Sequence, residues 1–307
     1  MRLSVPGNIL LLGEYAVLEE GGLGFAVAVD RRVRLSVRPA GGLSVRGSWP
    51  GGSFLWTRGD PGGSALVSAV VAAVDATMPG RRADDLEISI DSTELFDPSG
   101  RKTGLGSSAA TAAGLTAALM AGSNAPGPVA DAGAQVALRA HREAQGGRGS
   151  GYDVMCSWYG GVGSFTGGVF PAWTPAAMPG GFRITLFAGA GPVLTPQAVG
   201  LYAAWKRRDP AAALRFLEES NRRVRAFARA GTPEEAASCW ASCRDLGIEL
   251  GEAIGVSARI AVPRGLDGTL CKAIGAGSEL GACLVAPGTE GPLSAVAVAT
   301  EGVRWEA

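Results

Sequence analysis

The chain has 307 residues and a mass of 31.1 kDa, with 28 basic and 28 acidic residues, 18% charged and 47% hydrophobic. A zero net charge excludes a basic nucleic-acid arm and an acidic tail, and the apolar share excludes a disordered chain. At roughly 150 residues per domain, the length predicts two units or one two-lobed body. Glycine, at 47 residues, is about twice its base rate of roughly 7% and lacks a G-X-Y period, so it must serve turns and close-packed loops.

In chain order, residues 8–12 (NILLL) read as a buried strand, and 24–37 as a strand pair with Arg31, Arg32 and Arg34 near one face. Residues 40–63 read as a glycine-rich meander carrying Trp49, Phe54 and Trp56. The spacing predicts helices over 64–77, 107–121 and 128–145, with a clean alternating strand at 86–91 between the first two. Residues 158–170 read as strand and turn, followed by a Pro/Ala loop at 171–181. A strand at 183–189 then leads into a helix-dominated stretch over 196–252. Strands at 258–262 and 282–286 flank a helix around 266–272. The composition changes near 175–182, which predicts lobes at 1–178 and 179–307.

No run approaches 18 uncharged apolar residues, so no membrane partner is expected, and the N-terminus is a poor secretion signal. The five cysteines, Cys156, Cys239, Cys243, Cys271 and Cys283, form no CxxC pair and read as free thiols of a reducing cytoplasm. With His141 as the sole histidine, a Cys/His zinc site is not expected.

Three stretches carry chemistry. The first runs from Lys102 through Thr103, Gly104, Leu105, Gly106, Ser107 and Ser108 to Ala109 and Ala110. Its glycines let backbone approach a ligand, its serines can cap the next helix, and free N–H groups at that helix start attract an anion such as triphosphate. Arg101 stands where a Walker A loop needs glycine, so it is not that motif. On local physics alone, an anion site and an ordinary glycine-rich turn are equally good readings. The second stretch, Gly147-Arg148-Gly149-Ser150-Gly151-Tyr152-Asp153-Val154, sets one acid in a glycine loop beside an arginine. Such an acid can stay ionised and accept a proton; taken alone, a turn with an Asx hydrogen bond is the commoner reading. The third, from Lys272 through Gly275-Ala276-Gly277 to Val285, is a glycine turn running into a strand.

The order of these stretches behind Pro6-Gly7-Asn8 and Gly13-Glu14-Tyr15-Ala16-Val17-Leu18 resembles the three motifs of the GHMP kinases. Within that superfamily the run KTGLGSSA, and AQG leading into GSGYDV, are most similar to the phosphomevalonate kinases; the His-Gly and Pro-Ser-Gly usual in mevalonate kinases are absent. The resemblance implies an α+β GHMP kinase fold, with an N-terminal lobe like ribosomal protein S5 domain 2 and a C-terminal ferredoxin-like lobe. It implies ATP-dependent phosphoryl transfer to a small molecule, phosphomevalonate, with ATP and Mg²⁺ as cofactors. The alternatives are a hydroxyl acceptor (mevalonate or a sugar) and a nucleotide binder without turnover. A cytoplasmic monomer or homodimer is expected.

By the same resemblance, Lys102, Gly104, Leu105, Gly106, Ser107, Ser108 and Ala109 would bind the nucleotide. Ser150, Gly151, Lys272, Gly275, Ala276 and Gly277 would bind substrate. Asp153 would position or deprotonate the acceptor oxygen. Ser107, Ser108 and Glu143 are the candidate metal ligands. Asn8 stands where the family has lysine, which leaves Arg148 and Lys102 to supply the charge, and Ser278-Glu279-Leu280 departs from the family's third motif. His141 reads as a capping or satisfied helix histidine, Arg222, Arg223 and Arg225 as a solvated helix face, and Cys239/Cys243 as packing.

Overall fold

The computed structural model describes residues 1–60, 63–79, 85–122, 131–147, 149–189, 195–289, 293 and 295–306. In chain order the strands and helices are β1 (Arg2–Leu12), β2 (Leu23–Pro39), β3 (Ser44–Trp49), β4 (Gly52–Thr57), α1 (Ala65–Thr77), β5 (Leu86–Asp91), α2 (Ser107–Ala121), α3 (Asp131–Ala144) and α4 (Tyr152–Tyr159). There follow β6 (Val162–Thr166), β7 (Ala172–Ala176), β8 (Arg183–Ala188), α5 (Thr195–Arg208), α6 (Pro210–Arg229), α7 (Pro233–Ile254), β9 (Cys271–Ile274), β10 (Leu280–Val285) and β11 (Arg304–Glu306). Local chemistry sets the helix starts: Ser64, Asp209 and Thr232 cap α1, α6 and α7 with side-chain oxygens, and proline opens the last two. No described helix is long and apolar enough to cross a membrane.

Two compact units divide the chain. Unit 1 comprises Met1–Asn8, Ala28–Gly161 and Val298–Ala307; unit 2 comprises Ile9–Val27 and Val162–Ala297. These units interleave along the chain, so the division at 178/179 stands as a proposal about lobes and does not describe the packing.

In unit 1 the strand order is β11-β1-β2-β5-β3-β4, with β3 and β5 parallel and the pairs β1/β11, β2/β5 and β3/β4 antiparallel. Helix α2 is the buried centre of the unit. Its sequence, SSAATAAGLTAALMA, is small and apolar all round, as a helix enclosed on every side requires. It lies so close to the sheet that a Cβ on Gly114 would meet Leu35 Cδ1 at 2.6 Å. Arg32 does not sit on an exposed face with Arg31 and Arg34. It is buried and donates to Ser4 Oγ (2.9 Å), Ser4 O (3.2 Å) and Gly302 O (2.6 Å), tying down the C-terminal segment.

In unit 2, β6 pairs with residues 23–27 of β2 and with β7, and β8-β10-β9 form a separate antiparallel sheet. Tyr202, Trp205, Phe216, Leu250 and Ile254 of α5–α7 form a core cluster with Ala16. Cys271 and Cys283 lie directly opposite each other on β9 and β10 and are joined as a disulfide. This corrects the reading of five free thiols: strand register brings together two cysteines that sequence spacing does not pair. Cys156, Cys239 and Cys243 are free.

Other expectations also change. Strand β1 begins at Arg2 rather than at residue 8, and β2 is one continuous strand rather than a pair. Pro6 and Gly7 lie inside β1, and Gly7 suits the strand because Leu105 O lies 2.6 Å from where its Cβ would be. Residues 152–159 are helix α4, where the reading was a loop and then a strand from 158. Residues 258–262 form no strand, and 268–270 are a single 3-10 turn before β9, where Gly265 and Gly268 interrupt the expected helix.

Candidate active site

In unit 1 the glycine-serine loop enters α2 through Gly104 (φ 77°) and Gly106 (φ 72°), both left-handed. Gly106 is the N-cap residue and has no side chain, so the first-turn N–H groups of Ser107, Ser108 and Ala109 carry no side-chain cap. Uncapped N–H groups and the positive end of the helix dipole make an anion-seeking surface. Lys102 is exposed beside the loop.

Asn8 holds this loop from below. Its N–H donates to Leu105 O (3.0 Å), its Nδ2 donates to Ser157 Oγ on α4 (3.0 Å), and it is 1% exposed. A Cβ on Gly106 would lie 2.1 Å from Asn8 Nδ2. Asn8 Oδ1 is buried without a hydrogen-bond partner. Asn8 is thus a packing post between the loop and α4, and its position is too enclosed to present a mobile cation as a lysine would.

Asp153 is in the first turn of α4, after Gly151 (φ 84°). A side chain at Gly151 would strike Leu138 Cδ1 at 1.9 Å, so this turn needs glycine. The Asp153 side chain is 23% exposed, and its Oδ1 accepts from Val154 N (2.9 Å). Ser150 is buried, and its Oγ accepts from Tyr152 N at 3.4 Å. Arg142 of α3 holds the same turn by donating to Gly149 O (3.1 Å) and Ser150 O (2.6 Å). Its guanidinium pKa is lowered by burial and supported by the nearby Asp153 charge. Arg148, the cation expected beside Asp153, lies outside the described residues.

His141 connects the two motifs. It is buried on α3, with Nε2 3.1 Å from Ser108 Oγ and 3.2 Å from Gln145 Nε2, and Nδ1 3.8 Å from Asp153 Oδ2. Glu143, two residues on, points about 200° around the helix from His141 and is exposed. The structure therefore brings His141, and not Glu143, to Ser108. Sequence reasoning read His141 as a capping or satisfied helix histidine and did not single out Arg142; the signals available were the i,i+4 pair His141/Gln145 and the position of both residues on the helix before the Asp153 turn.

In unit 2, Glu14, Tyr15, Lys272 and Gly275–Gly277 line a cleft of about 590 Å³, counted to its open mouth, together with Val224 and Cys243. Lys272 is not free to bind an anion. It is 2% exposed, donates to Leu11 O (2.9 Å), pairs with Glu14 and lies 5.4 Å above the Trp240 ring. Tyr15 is the one non-glycine residue with positive φ among the described residues (φ 63°), and Ala16 N donates to Glu14 O across it (2.8 Å). That is the strained form of the γ-turn, a conformation of order 1–3 kcal/mol above the ordinary ones. Tyr15 is held there by donating its hydroxyl to Ala276 O (2.5 Å) and by packing on Tyr202 with ring centres 5.3 Å apart. Burial, with the Glu14 charge second, pushes its pKa up to about 12, so it remains a donor. Gly275 (φ 78°) needs its glycine for the turn. Arg222 pairs with Glu219 in solvent, while Arg223 pairs with Glu219 and reaches Ser242 O of α7.

No family model matches the chain. It is 29% identical over 165 residues to a phosphomevalonate kinase of Saccharolobus solfataricus, an alignment covering 53% of this chain and 48% of that protein. The chain thus spans about half the length of this curated relative. Among solved structures, a Lin0012 protein from Listeria innocua superimposes with a TM-score of 0.81 at 22% identity, over 93% of this chain and 90% of that one. The Streptococcus pneumoniae phosphomevalonate kinase in complex with phosphomevalonate and AMPPNP superimposes with a TM-score of 0.72 at 16% identity, over 92% of each chain. The chain is an α+β protein with the fold of the GHMP kinases.

Proposed function

We propose that this chain is an ATP-dependent small-molecule kinase of the GHMP type whose acceptor is phosphomevalonate, releasing diphosphomevalonate and ADP. The observation that carries the reading is within unit 1: an uncapped helix start behind two left-handed glycines, linked by one buried histidine to an acid in another helix's first turn. The likeness to a named phosphomevalonate kinase supports the acceptor. In this reading the N–H groups of Ser107, Ser108 and Ala109 bind the nucleotide phosphates, with Lys102 on the exposed side.

No group of three His, Cys, Asp or Glu side chains among the described residues forms a metal cage. Mg²⁺ needs none, since it is commonly held by one or two protein oxygens together with phosphate oxygens and water. The Ser107 and Ser108 hydroxyls at the helix start fit that demand, and Glu143 does not. The ion would neutralise charge on the transferring phosphoryl group. Asp153 orients the attacking oxygen. A phosphate acceptor is already anionic and asks little of a base. Lys272, neutralised by Glu14, shapes the substrate side in place of binding the anion, while Gly275, Ala276 and Gly277 offer backbone.

A hydroxyl acceptor, mevalonate or a sugar, is the second reading. It is favoured by His141 standing behind Asp153, an arrangement that suits a carboxylate taking up a proton. A nucleotide binder without turnover is favoured by the absence of a cation at Asn8. The cytoplasmic expectation rested in part on five free thiols, and the Cys271–Cys283 disulfide removes that part. Coupled ADP release over phosphomevalonate, mevalonate and several sugars separates the readings: signal with the first alone supports the proposal, and signal only with an alcohol replaces it.

A further inference from the structure

His141 is the sole histidine of the chain, and the phosphomevalonate reading above uses its position without assigning it a step. It is 2% exposed, yet its ring touches a candidate nucleotide-binding hydroxyl on one side and the candidate catalytic acid on the other. The Gln145 amide nitrogen beside Nε2 (3.2 Å) is a donor only, so Nε2 presents its lone pair there. The neutral imidazole then carries its proton on Nδ1, the nitrogen 3.8 Å from Asp153 Oδ2. This distance is longer than a hydrogen bond, as contacts in ligand-free catalytic sites commonly are. Ser108, 3.1 Å from the same Nε2, shares that one lone pair with the Gln145 amide and donates its single proton inward. Both lone pairs of its half-buried Oγ are then left for a ligand.

We infer that His141 is the positioning residue of the site. It turns the Ser108 hydroxyl so that its lone pairs face a Mg²⁺-bound nucleotide, and through Nδ1–H it sets the Asp153 carboxylate against the same centre. This rests on the kinase reading and deepens it. The rigid ring matters because it serves Ser108 and Asp153 with opposite nitrogens at fixed separation. A flexible amide at 141 could satisfy Ser108 and would leave Asp153 unplaced.

The sole histidine makes the test direct. In tag-free protein labelled with ¹⁵N-histidine, one imidazole is observed. The expected spectrum has Nδ1 protonated and Nε2 as a hydrogen-bonded acceptor; Ser108→Ala should move the Nε2 signal, and Asp153→Asn the Nδ1 signal. Calorimetry with ADP supplies the second readout. His141→Phe should weaken ADP binding in the presence of Mg²⁺ by about 10- to 100-fold, the usual effect of losing a group that orients a metal ligand, and leave metal-free ADP binding within about twofold. His141→Gln should recover part of the loss. A proton on Nε2, or a spectrum unmoved by Ser108→Ala, overturns the inference. So does an equal loss with and without Mg²⁺. Should His141→Phe fail to fold, the spectra of wild type and Ser108→Ala decide. If wild type binds no nucleotide, the kinase reading and the metal half of the inference fail together, while the imidazole spectrum still judges the Ser108–His141–Asp153 link.

Discussion

Gly106→Ala tests the nucleotide loop with one methyl group. Gly106 has φ 72°, and a non-glycine residue in the left-handed region costs about 1–2 kcal/mol. The added Cβ would stand 2.1 Å from Asn8 Nδ2, 2.6 Å from Cγ and 2.7 Å from Oδ1. Asn8 cannot swing away cheaply: it is buried, short and held by Ser157 and Leu105. Overpacking of that kind costs about 1–3 kcal/mol, so the sum is about 2–5 kcal/mol. The strain falls on the loop whose N–H groups would receive phosphate. ADP affinity should therefore drop at least tenfold, about 1.4 kcal/mol. Urea denaturation and calorimetric ADP titration read the two effects. Combining Gly106→Ala with Asn8→Ala removes the clash and keeps the φ strain, so a double-mutant cycle should return a coupling of about 1–3 kcal/mol. A Gly106→Ala protein with wild-type stability and wild-type ADP affinity would refute both the packing argument and the phosphate-loop reading.

Asp153→Asn should fold and bind nucleotide as wild type does, because its side chain is partly exposed and nearly isosteric, and should lose about 10²–10⁴-fold in turnover; a loss below about fivefold makes Asp153 a turn residue. Asn8→Lys should lower unfolding free energy by about 3–5 kcal/mol, the range for an uncompensated buried charge, and bring no gain in ADP release; a raised melting temperature contradicts the enclosed geometry. Lys272→Met leaves Glu14 without its cation and should destabilise by about 3 kcal/mol, with part recovered by adding Glu14→Gln; the measurement is denaturant unfolding, and a neutral single variant rejects the pair as structural. Thiol titration of unfolded, unreduced protein should count three thiols, and five after reduction; five before reduction rules out the Cys271–Cys283 bond.

The sequence makes the glycine loops legible and hides what supports them. Gly104, Gly106 and the serines announce a loop entering a helix, because left-handed glycines and short hydroxyl side chains are local signals. Asp153 was found in its motif, but α4 was not. YDVMCSWY is rich in aromatic residues and others of modest helix propensity, and burial together with the Asn8–Ser157 bond sustains the helix. His141 looked ordinary because its two partners come from other helices, and no spacing along the chain encodes that meeting. Lys272 looked like an anion binder; its neutralisation by Glu14 spans 258 positions. The cysteine pairing depended on the register of β9 against β10. Composition suggested one crossing point near 178, whereas the compact units exchange chain at 8/9, 27/28, 161/162 and 297/298, the first two inside the continuous strands β1 and β2 where composition does not change.

The most direct test of the account is ADP release by the purified, unreduced chain with ATP and Mg²⁺, with phosphomevalonate as acceptor and mevalonate, galactose and acceptor-free controls alongside. The account predicts phosphomevalonate-dependent ADP release that disappears without Mg²⁺ and falls at least a hundredfold in Asp153→Asn. No ADP above the acceptor-free rate with any of these acceptors, from folded protein that binds ADP, would contradict it and leave a nucleotide-binding protein with the fold of a kinase.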